Sequence, residues 1–387
     1  MDKIVFNSAN KIISYDNGTV KEFEPDFYTR YVTNSIKQAE QDAWKHSGFG
    51  AQFRGDAIEA LKEEQANSTI KSEITGLCLT SKDNLNYSIF INDISGVYSK
   101  DLNAEKSSES HVIHDNNKII RGAQESNGKI AFTVSNDGVT SHLAIFNKVT
   151  DDYQTVTDGD SFDEQPYFSM SNENNVLFAS KGVGRDGNGN FVEYSPSYIM
   201  SYNLHSGDIV DVYGDNNYSF IKPKDDLNGN LYAIRKPVSD KKRSNIFIDI
   251  LLIPVKLIMA IYYFLESFTR AFTGKNFTEK SANPAKTNNK SAQRIFVEGN
   301  EIYADKEYKN NLKHKDDFAG IIPRSYELVK ISGENVEVIK KGVIAYDVLS
   351  DGTLVVSNGK HILHIDSNGK TTKLANANLA TQITSIK

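Results

Sequence analysis

Two histidine pairs have a spacing that could hold a metal ion if both rings of a pair faced the same way. They are His111 with His114, and His361 with His364. Both pairs fall in or at the ends of segments that predict β-strands, where residues three apart point to opposite faces. We therefore predict no metal site and no cofactor at either pair.

Two loops resemble binding motifs but lack the residues that do the chemistry. Gly184–Glu193 alternates Asp186, Asn188 and Asn190 in the manner of a calcium loop, yet Phe191 replaces the glycine that the sharp turn needs. The segment Gly48–Gly55, GFGAQFRG, lacks the Lys-Ser/Thr of a phosphate loop. A plain hairpin is predicted for the first loop, and nucleotide binding is not predicted for the second.

The sequence assigns no catalytic residue. It contains no GxSxG elbow and no sialidase-type aspartate box, and its single tryptophan argues against a cleft that stacks carbohydrate. An active site assembled from the loops of distant blades stays an alternative, because spacing along the chain does not test which loops meet in the fold.

Composition narrows the class of protein. The 387 residues are 39% hydrophobic and 24% charged, which is typical of a globular protein, and the net charge of −6 predicts no nucleic-acid partner. Cys78 is the only cysteine, so no internal disulfide ties the fold to an oxidising compartment. The N-terminus lacks the apolar run of a secretory signal, and we expect a cytoplasmic, bacterial protein.

A repeat of four short strands organises the chain. The clearest unit comprises Lys118–Gln124, Gly128–Ser135, Ser141–Phe146 and Tyr153–Val156, separated by NG, NDG and DD turn signals. Similar units occupy 72–115, 165–213, 217–339 with an interruption, and 343–374. Such units predict an all-β fold, a single roughly six-bladed β-propeller over 1–387.

The two ends of the chain supply the remaining blade. Thr381–Ile386 is expected to pair beside Lys3–Asn7, which Lys11–Tyr15 and Val20–Phe23 follow. This closure would hide the two edges that an open ring leaves unpaired.

One unit resembles a known family. The run TDGDSFDEQPYFSMSNENNVLFASKG is similar to the repeat of TolB-type β-propellers, in which an acidic residue and a proline precede two short apolar strands, each followed by serine. The matching positions are Asp163, Pro166, Phe168, Ser169, Leu177, Phe178 and Ser180. The resemblance implies a propeller fold in a family that includes binding proteins and accessory domains of peptidases.

A helical insertion interrupts the strands at 25–69. Its first part, DFYTRYVTNSIKQAEQDAWKH, has helix-spaced apolar residues, and a second short helix is predicted at Asp56–Gln65. Trp44 either packs the first helix against the propeller or anchors a protein partner.

A second insertion at 239–293 contains the apolar stretch 246–272 within a polar tether. Asp249, Pro254 and Lys256 interrupt it, so a transmembrane helix is not expected. An in-plane amphipathic helix, a shallow re-entrant hairpin and a partner-binding helix remain. On a helix, Lys256, Tyr263 and Arg270 form a polar stripe. The predicted membrane-binding residues are Leu257, Ile258, Ile261, Phe264, Leu265, Phe268 and Phe272, with Lys241, Lys242 and Arg243 on anionic lipid.

The sequence therefore favours a non-catalytic scaffold or recognition module with a protein partner, attached peripherally to the cytoplasmic face of a membrane. The alternative is a hydrolase or lyase with an active site in the central funnel. Convergent carboxylates or histidines along the axis would favour the enzyme, and an axis filled with mixed side chains would favour the scaffold.

Overall fold

The computed structural model describes residues 2–45, 72–92, 94–104, 108–238, 294–314 and 318–386. Over these residues it is an all-β, six-bladed propeller, which confirms the predicted fold class. The first three blades contain the strands β1 (Ile4–Ser8), β2 (Lys11–Asp16), β3 (Thr19–Phe23), β4 (Ser72–Leu79), β5 (Asn84–Ile91), β6 (Ile94–Asp101), β7 (Glu109–Asp115), β8 (Ile119–Ser126), β9 (Lys129–Ser135), β10 (His142–Asn147) and β11 (Asp152–Thr155).

The remaining strands follow in chain order. They are β12 (Ser161–Phe168), β13 (Asn175–Arg185), β14 (Phe191–Tyr194), β15 (Tyr198–Asn203), β16 (Ile209–Tyr213), β17 (Tyr218–Asp225), β18 (Leu231–Pro237), β19 (Arg294–Val297), β20 (Asn300–Tyr303), β21 (Glu327–Ser332), β22 (Asn335–Lys341), β23 (Ala345–Val348), β24 (Leu354–Ser357), β25 (His361–Ile365), β26 (Thr371–Asn376) and β27 (Ile383–Ser385). Two helices are described, α1 (Asp26–Lys45) and α2 (Ala304–Lys313).

Each blade contains four antiparallel strands in sequence from the axis outward, and the fourth blade has β14 as a fifth strand paired with β13. In order from the innermost strand, the blades are β27-β1-β2-β3, β4-β5-β6-β7, β8-β9-β10-β11, β12-β13-β15-β16, β17-β18-β21-β22 and β23-β24-β25-β26. Local turn chemistry sets the registers. Asn127 and Gly128 both have positive φ, as the tight turn between β8 and β9 requires, and Ser126 therefore pairs with Lys129.

Strand β27 closes the ring by pairing with β1. Ile4 lies opposite Ser385 and Phe6 opposite Ile383. The Asn7 side-chain oxygen also accepts hydrogen bonds from the backbone N–H groups of Thr381 and Gln382, each at 2.8 Å. The innermost strand of the first blade therefore comes from the far end of the sequence.

The motif that resembles TolB-type repeats makes hydrogen bonds within and between blades. Buried Asp163 accepts hydrogen bonds from Thr157 Oγ1 at 2.5 Å and from Ser180 Oγ at 2.6 Å, which ties β12 to β13. Ser169 Oγ donates to Asp225 on the next innermost strand, at 2.6 Å. The acidic residue and both serines of the motif are therefore structural.

The innermost strands β8, β12 and β17 share one irregularity. In each, two residues oppose a single residue of the neighbouring strand, and the first of the two has positive φ: Gly122, Gln165 and Lys222. The second residue is an alanine in β8 and a proline in the other two strands. These bulges re-aim the side chains that follow them toward the central axis.

Helix α1 packs against the second blade. The Phe27 ring stacks on Tyr98, with 4.9 Å between ring centroids, and Asn92 Nδ2 donates to Tyr31 OH at 3.0 Å. Trp44 belongs to α1, but its side chain lies outside the described residues, as do the second helix predicted at Asp56–Gln65 and the apolar stretch 246–272.

The hairpin β19–β20 and helix α2 lie between β18 and β21 of the fifth blade. The hairpin sequence RIFVEGNEIY has the β-branched and aromatic residues typical of strands, whereas the sequence predicts no helix at α2. Asn311 anchors α2, because its side-chain amide donates to the carbonyls of Gly320 and Ile322, each at 2.9 Å. Neither described helix is long and apolar enough to cross a membrane.

Candidate functional site at the two mouths of the axis

The first histidine pair corrects one expectation. The His111 and His114 rings lie 5.7 Å apart between centroids and both pack against Phe27, so they share a side of the strand. The register between β6 and β7 slips at Val112, and this bulge cancels the alternation that would have separated the rings. Among the described residues, no three His, Cys, Asp or Glu side chains are grouped to hold a metal ion.

The loop at Gly184–Glu193 is a hairpin turn between β13 and β14. Asp186 Oδ1 accepts hydrogen bonds from the N–H groups of Asn188 and Asn190, each at 2.9 Å. The hydrogen bonds from Asn190 hold the pKa of Asp186 below its ordinary value. The carboxylate is therefore used to shape the turn.

The innermost strands of all six blades surround the axis of the propeller. We call the end where these strands begin the upper mouth and the end where they finish the lower mouth. Between the mouths the strands enclose a narrow cavity of about 40 Å³. Most of the axis is therefore filled.

Four side chains fill the middle of the axis, and we call them the axial plug: Tyr167, Lys224, Tyr346 and Asp347. Lys224 Nζ lies 2.7 Å from Asp347 Oδ1 and 3.0 Å from the Tyr346 carbonyl. Its ammonium lies over both tyrosine rings, 5.4 and 5.5 Å from their centroids. Burial raises the pKa of both tyrosines well above the ordinary value, so both phenols stay neutral.

Further hydrogen bonds fix the axial plug. Tyr346 OH donates to the Lys222 carbonyl at 2.7 Å, and Asp347 Oδ2 accepts from the N–H and the hydroxyl of Ser385, each at 2.7 Å. The plug thus joins the fifth and sixth blades to β27, and the axis is closed by mixed polar and aromatic side chains.

The lower mouth opens into a cavity of about 570 Å³. Apolar side chains contribute to its lining, and Leu227 is 67% exposed at its rim. They alternate with polar side chains from the ends of the innermost strands; the lining residues used below are Leu79, Gln124, Glu125, Phe168, Met170 and Leu227. The cavity therefore offers both apolar and hydrogen-bonding groups.

Hydrogen bonds hold the rim of this cavity in place. Asp225 Oδ1 accepts from the N–H of Met170 at 2.8 Å, and Asp225 Oδ2 accepts from the Ser171 hydroxyl at 2.5 Å. In the neighbouring third blade, Lys148 Nζ lies 2.5 Å from Glu125 Oε1. Because the rim residues are already fixed, a ligand would meet a preformed surface.

The upper mouth is occupied by Glu298, which lies at the turn of the β19–β20 hairpin. Its carboxylate accepts hydrogen bonds from Lys222 Nζ at 2.5 Å and from Gln165 Nε2 at 2.9 Å. Lys236 Nζ donates to the Glu298 carbonyl oxygen at 2.9 Å. We call Gln165, Lys222 and Lys236 the upper cradle.

The charges of the upper mouth shift the pKa of its carboxyl groups in opposite directions. Burial acts to raise the pKa of Glu298, but Lys222, Lys236 and Lys181 together outweigh it, so this pKa lies below its ordinary value. Glu73 is an exposed residue, but partial desolvation by the surrounding protein and the negative charge of Glu298 both raise the pKa of its carboxyl group. The Glu298 carboxyl group is therefore stabilised as an anion, whereas the Glu73 carboxyl group accepts a proton more readily than an ordinary glutamate does.

Three of the nine described non-glycine residues with positive φ meet at the upper mouth. Gln165, Lys222 and Glu298 have φ values of 58°, 54° and 48°, in the left-handed region that side chains other than glycine adopt at a cost of about 1–3 kcal/mol each. The positive φ values of Gln165 and Lys222 arise at bulges and that of Glu298 at a two-residue turn, and hydrogen bonds among the three residues hold them together.

Sequence reasoning missed the upper mouth because its residues are scattered from Glu73 to Glu298. One local signal was available. Gln165-Pro166 and Lys222-Pro223 place proline inside apparent strands, which marks a bulge in an inner strand.

Neither a protein-family profile nor a curated protein sequence matches this chain. Solved structures with similar folds include TolB from Acinetobacter baumannii, at 9% identity and a TM-score of 0.48, covering 99% of this chain and 66% of that one. They also include the tricorn protease, at 10% identity and a TM-score of 0.41, covering 100% of this chain and 34% of that one.

Oligogalacturonate lyase in complex with manganese is a third such structure, at 7% identity and a TM-score of 0.32, covering 43% of this chain and 47% of that one. The chain thus spans less than two thirds of the length of all three proteins. The structural neighbours include TolB-type propellers, and at these identities the similarity concerns the fold alone.

Proposed function

We propose that the protein is a non-catalytic recognition module that binds a short peptide segment of a partner protein in the cavity at its lower mouth. The observation that carries this proposal is a blind pocket of about 570 Å³ with a fixed rim, closed at its inner end by the axial plug. Its volume lies in the range of small-ligand sites, about 300–1,000 Å³.

The lining suits a peptide. Leu79, Phe168 and Met170 can receive apolar side chains. The Gln124 amide oxygen can accept from backbone N–H groups, and so can the remaining lone pairs of Glu125, whose oxygens also accept from Lys148 and Asn86. Leu227 at the rim can cover the bound segment.

The alternative, a hydrolase or lyase, would draw its acidic groups from the upper mouth. Glu164 is paired with Lys181 at 3.2 Å and Glu298 with Lys222, which leaves Glu73 as the carboxyl group with the raised pKa that a general acid needs. A folded Glu73→Gln variant that loses all biological activity would favour the enzyme.

The recognition proposal is tested at the rim. Leu227→Glu places a charge at the mouth of the pocket without disturbing the core, because Leu227 is 67% exposed. Val192→Glu is the matched control, since Val192 is 58% exposed on β14 and does not line the cavity. Proteins that co-purify with the wild-type chain and with the control should be lost from the Leu227→Glu variant. If the same proteins are retained, the lower mouth is not the recognition site.

Peripheral membrane attachment through 246–272 remains part of the proposal. The described residues on either side of the 239–293 insertion lie beside the upper mouth, because Lys236 and Glu298 are in contact there. This position supports an orientation in which the upper mouth faces the membrane. A membrane bound there would leave the lower mouth facing away, accessible to a partner.

Flotation with anionic liposomes tests the attachment. Deletion of 246–272 should abolish flotation. The double variant Phe264→Asp/Phe268→Asp should also abolish it at any salt concentration, because both charges would lie among the apolar residues that are predicted to enter the membrane. Neutralising Lys241, Lys242 and Arg243 should weaken binding mainly at low salt. A double Asp variant that still floats would rule out this segment as the anchor.

A further inference from the structure

We infer that the upper mouth is a second binding site, which takes the carboxylates of an acidic peptide, and that the chain's own Glu298 occupies it in this structure. The inference does not depend on the lower-mouth proposal. It treats the Glu298 turn as an internal ligand that an external carboxylate can replace.

The contacts of Glu298 are those of a bound carboxylate. Lys222 supplies a charge-assisted hydrogen bond and Gln165 an amide donor to the two carboxylate oxygens. Both donors project from innermost strands of adjacent blades, and the bulges that aim them place both residues in left-handed backbone conformations. The donor set is therefore built by the propeller, while the acceptor comes from an inserted hairpin.

The turn sequence indicates why a glutamate is present. Val297 pairs with Asn300, and Glu298 and Gly299 between them both have positive φ, which defines a two-residue turn that favours Asn-Gly or Asp-Gly. Glutamate gives the turn no local advantage. Its longer side chain is what reaches Lys222 and Gln165, so the residue serves the contact with the cradle.

The charge balance favours an external anion once Glu298 leaves. Four cationic and three carboxylate side chains interact at this mouth: Arg121, Lys181, Lys222 and Lys236 with Glu73, Glu164 and Glu298. Removing Glu298 changes the local balance from one excess positive charge to two. In addition, the buried Nη1 of Arg121 has no hydrogen-bond partner among the described residues.

The hairpin can release Glu298 without unfolding. Val297 and Ile302 are buried in the cluster that contains Ile221 and Tyr326, so the body of the hairpin stays packed. Glu298 and Gly299 lie beyond these anchors at the tip. A change limited to the turn would open the cradle.

The test uses the full chain and a fluorescein-labelled hexaglutamate peptide, with binding followed by fluorescence anisotropy at pH 7 and low salt. Glu298→Asn gives the turn its preferred Asn-Gly sequence and removes the internal ligand, so affinity for hexaglutamate should rise about tenfold or more over wild type. Glu298→Gly serves the same purpose if the asparagine variant does not fold, as judged by its melting temperature, because glycine adopts positive φ readily and leaves no side chain in the cradle.

The double variant Glu298→Asn/Lys222→Asn is the matched control. Asparagine tolerates the left-handed conformation of position 222 but lacks the ammonium, so the gained affinity should be lost. A labelled hexaglutamine peptide should bind none of the variants. The inference is overturned if the Glu298 variants bind hexaglutamate no more tightly than wild type, or if the double variant keeps the gain.

Discussion

The two mouths of the axis are built from the same six innermost strands, yet they differ in backbone and in chemistry. At the upper mouth, Gln165 and Lys222 from the bulges of β12 and β17 belong to a dense set of charged and polar groups, and an inserted glutamate covers the opening. Toward the lower mouth the pairing is regular and the cavity is open. A nearly symmetric ring can therefore present one closed and one open site, because only three of its six innermost strands carry such a bulge and the fifth blade alone carries the inserted hairpin.

Loss of β27 should have the largest effect, because β27 closes the ring and its residues line the lower mouth. Deleting 380–387 removes the pairing with β1 and the hydrogen bonds from Ser385 to Asp347. The edge of the first blade at β1 would then be exposed, and we expect the melting temperature to fall by well over about 10 °C, or folding to fail. Circular dichroism measures this.

Removal of Lys387 alone is the control for that deletion and should leave the melting temperature unchanged. A 380–387 deletion that melts with the wild type would mean that β27 does not hold the ring together.

The axial plug separates the mouths, and breaking its ion pair should have the next largest effect. Asp347→Ala leaves the Lys224 ammonium without its carboxylate in the middle of the protein, which should cost about 3–5 kcal/mol in urea unfolding. The double variant Asp347→Ala/Lys224→Met removes both charges and should recover part of that loss. A single variant within about 1 kcal/mol of wild type would contradict a structural role for the plug.

Lowering the pH should reduce the stability of the folded protein by protonating Glu298 at the upper mouth. Its pKa in the folded protein is lowered from the ordinary 4.5, so its contribution is present above pH 4.5 and is lost as the pH falls through the folded-state value. Glu298→Gln should therefore be less stable than wild type at pH 7, by about 2 kcal/mol, and the difference should shrink as the pH falls below 4.5.

Glu22→Gln is a matched control for this acid series. Glu22 pairs with Lys11 at the surface, where such pairs contribute about 0–1 kcal/mol, so its difference from wild type should be small at every pH. A gap between Glu298→Gln and wild type that persists unchanged at pH 3 would show that the carboxylate charge is not what stabilises the turn.

Replacing Glu73 should change the stability in the opposite direction to replacing Glu298, and by the smallest amount of these variants. Its pKa is raised above 4.5 in the folded protein, so its ionised form disfavours folding at neutral pH and this penalty disappears below pH 4.5. Glu73→Gln should stabilise the protein by only about 0.5 kcal/mol at pH 7, since the carboxyl group is accessible to solvent, and should have no effect near pH 4. Destabilisation at pH 7 would reverse this assignment.

The blades were predictable because their signals are local. Alternating residues such as those of GKIAFTVS, bounded by Asn-Gly and Asp-Gly turns, specify strand and turn within a few positions. Helix α2 was not predicted, because its sequence ADKEYKNNLK has few apolar residues and is held by Asn311 through carbonyls that come later in the chain.

The candidate sites were not predictable, because each depends on contacts between distant residues. Gln165, Lys222 and Glu298 meet only after three separate segments have folded, and no pattern links them in the sequence. The His111 and His114 rings show the same limit at short range, since a one-residue bulge reversed the geometry that alternation predicts.

The pairing of β27 with β1 has a kinetic consequence. It joins residues separated by nearly the whole chain, and contacts of such sequence separation form slowly because a very long loop must close first. During that interval a second molecule can donate its own β27 to the waiting blade. Refolding at high protein concentration should therefore produce strand-exchanged oligomers, and dilution should restore the monomeric ring.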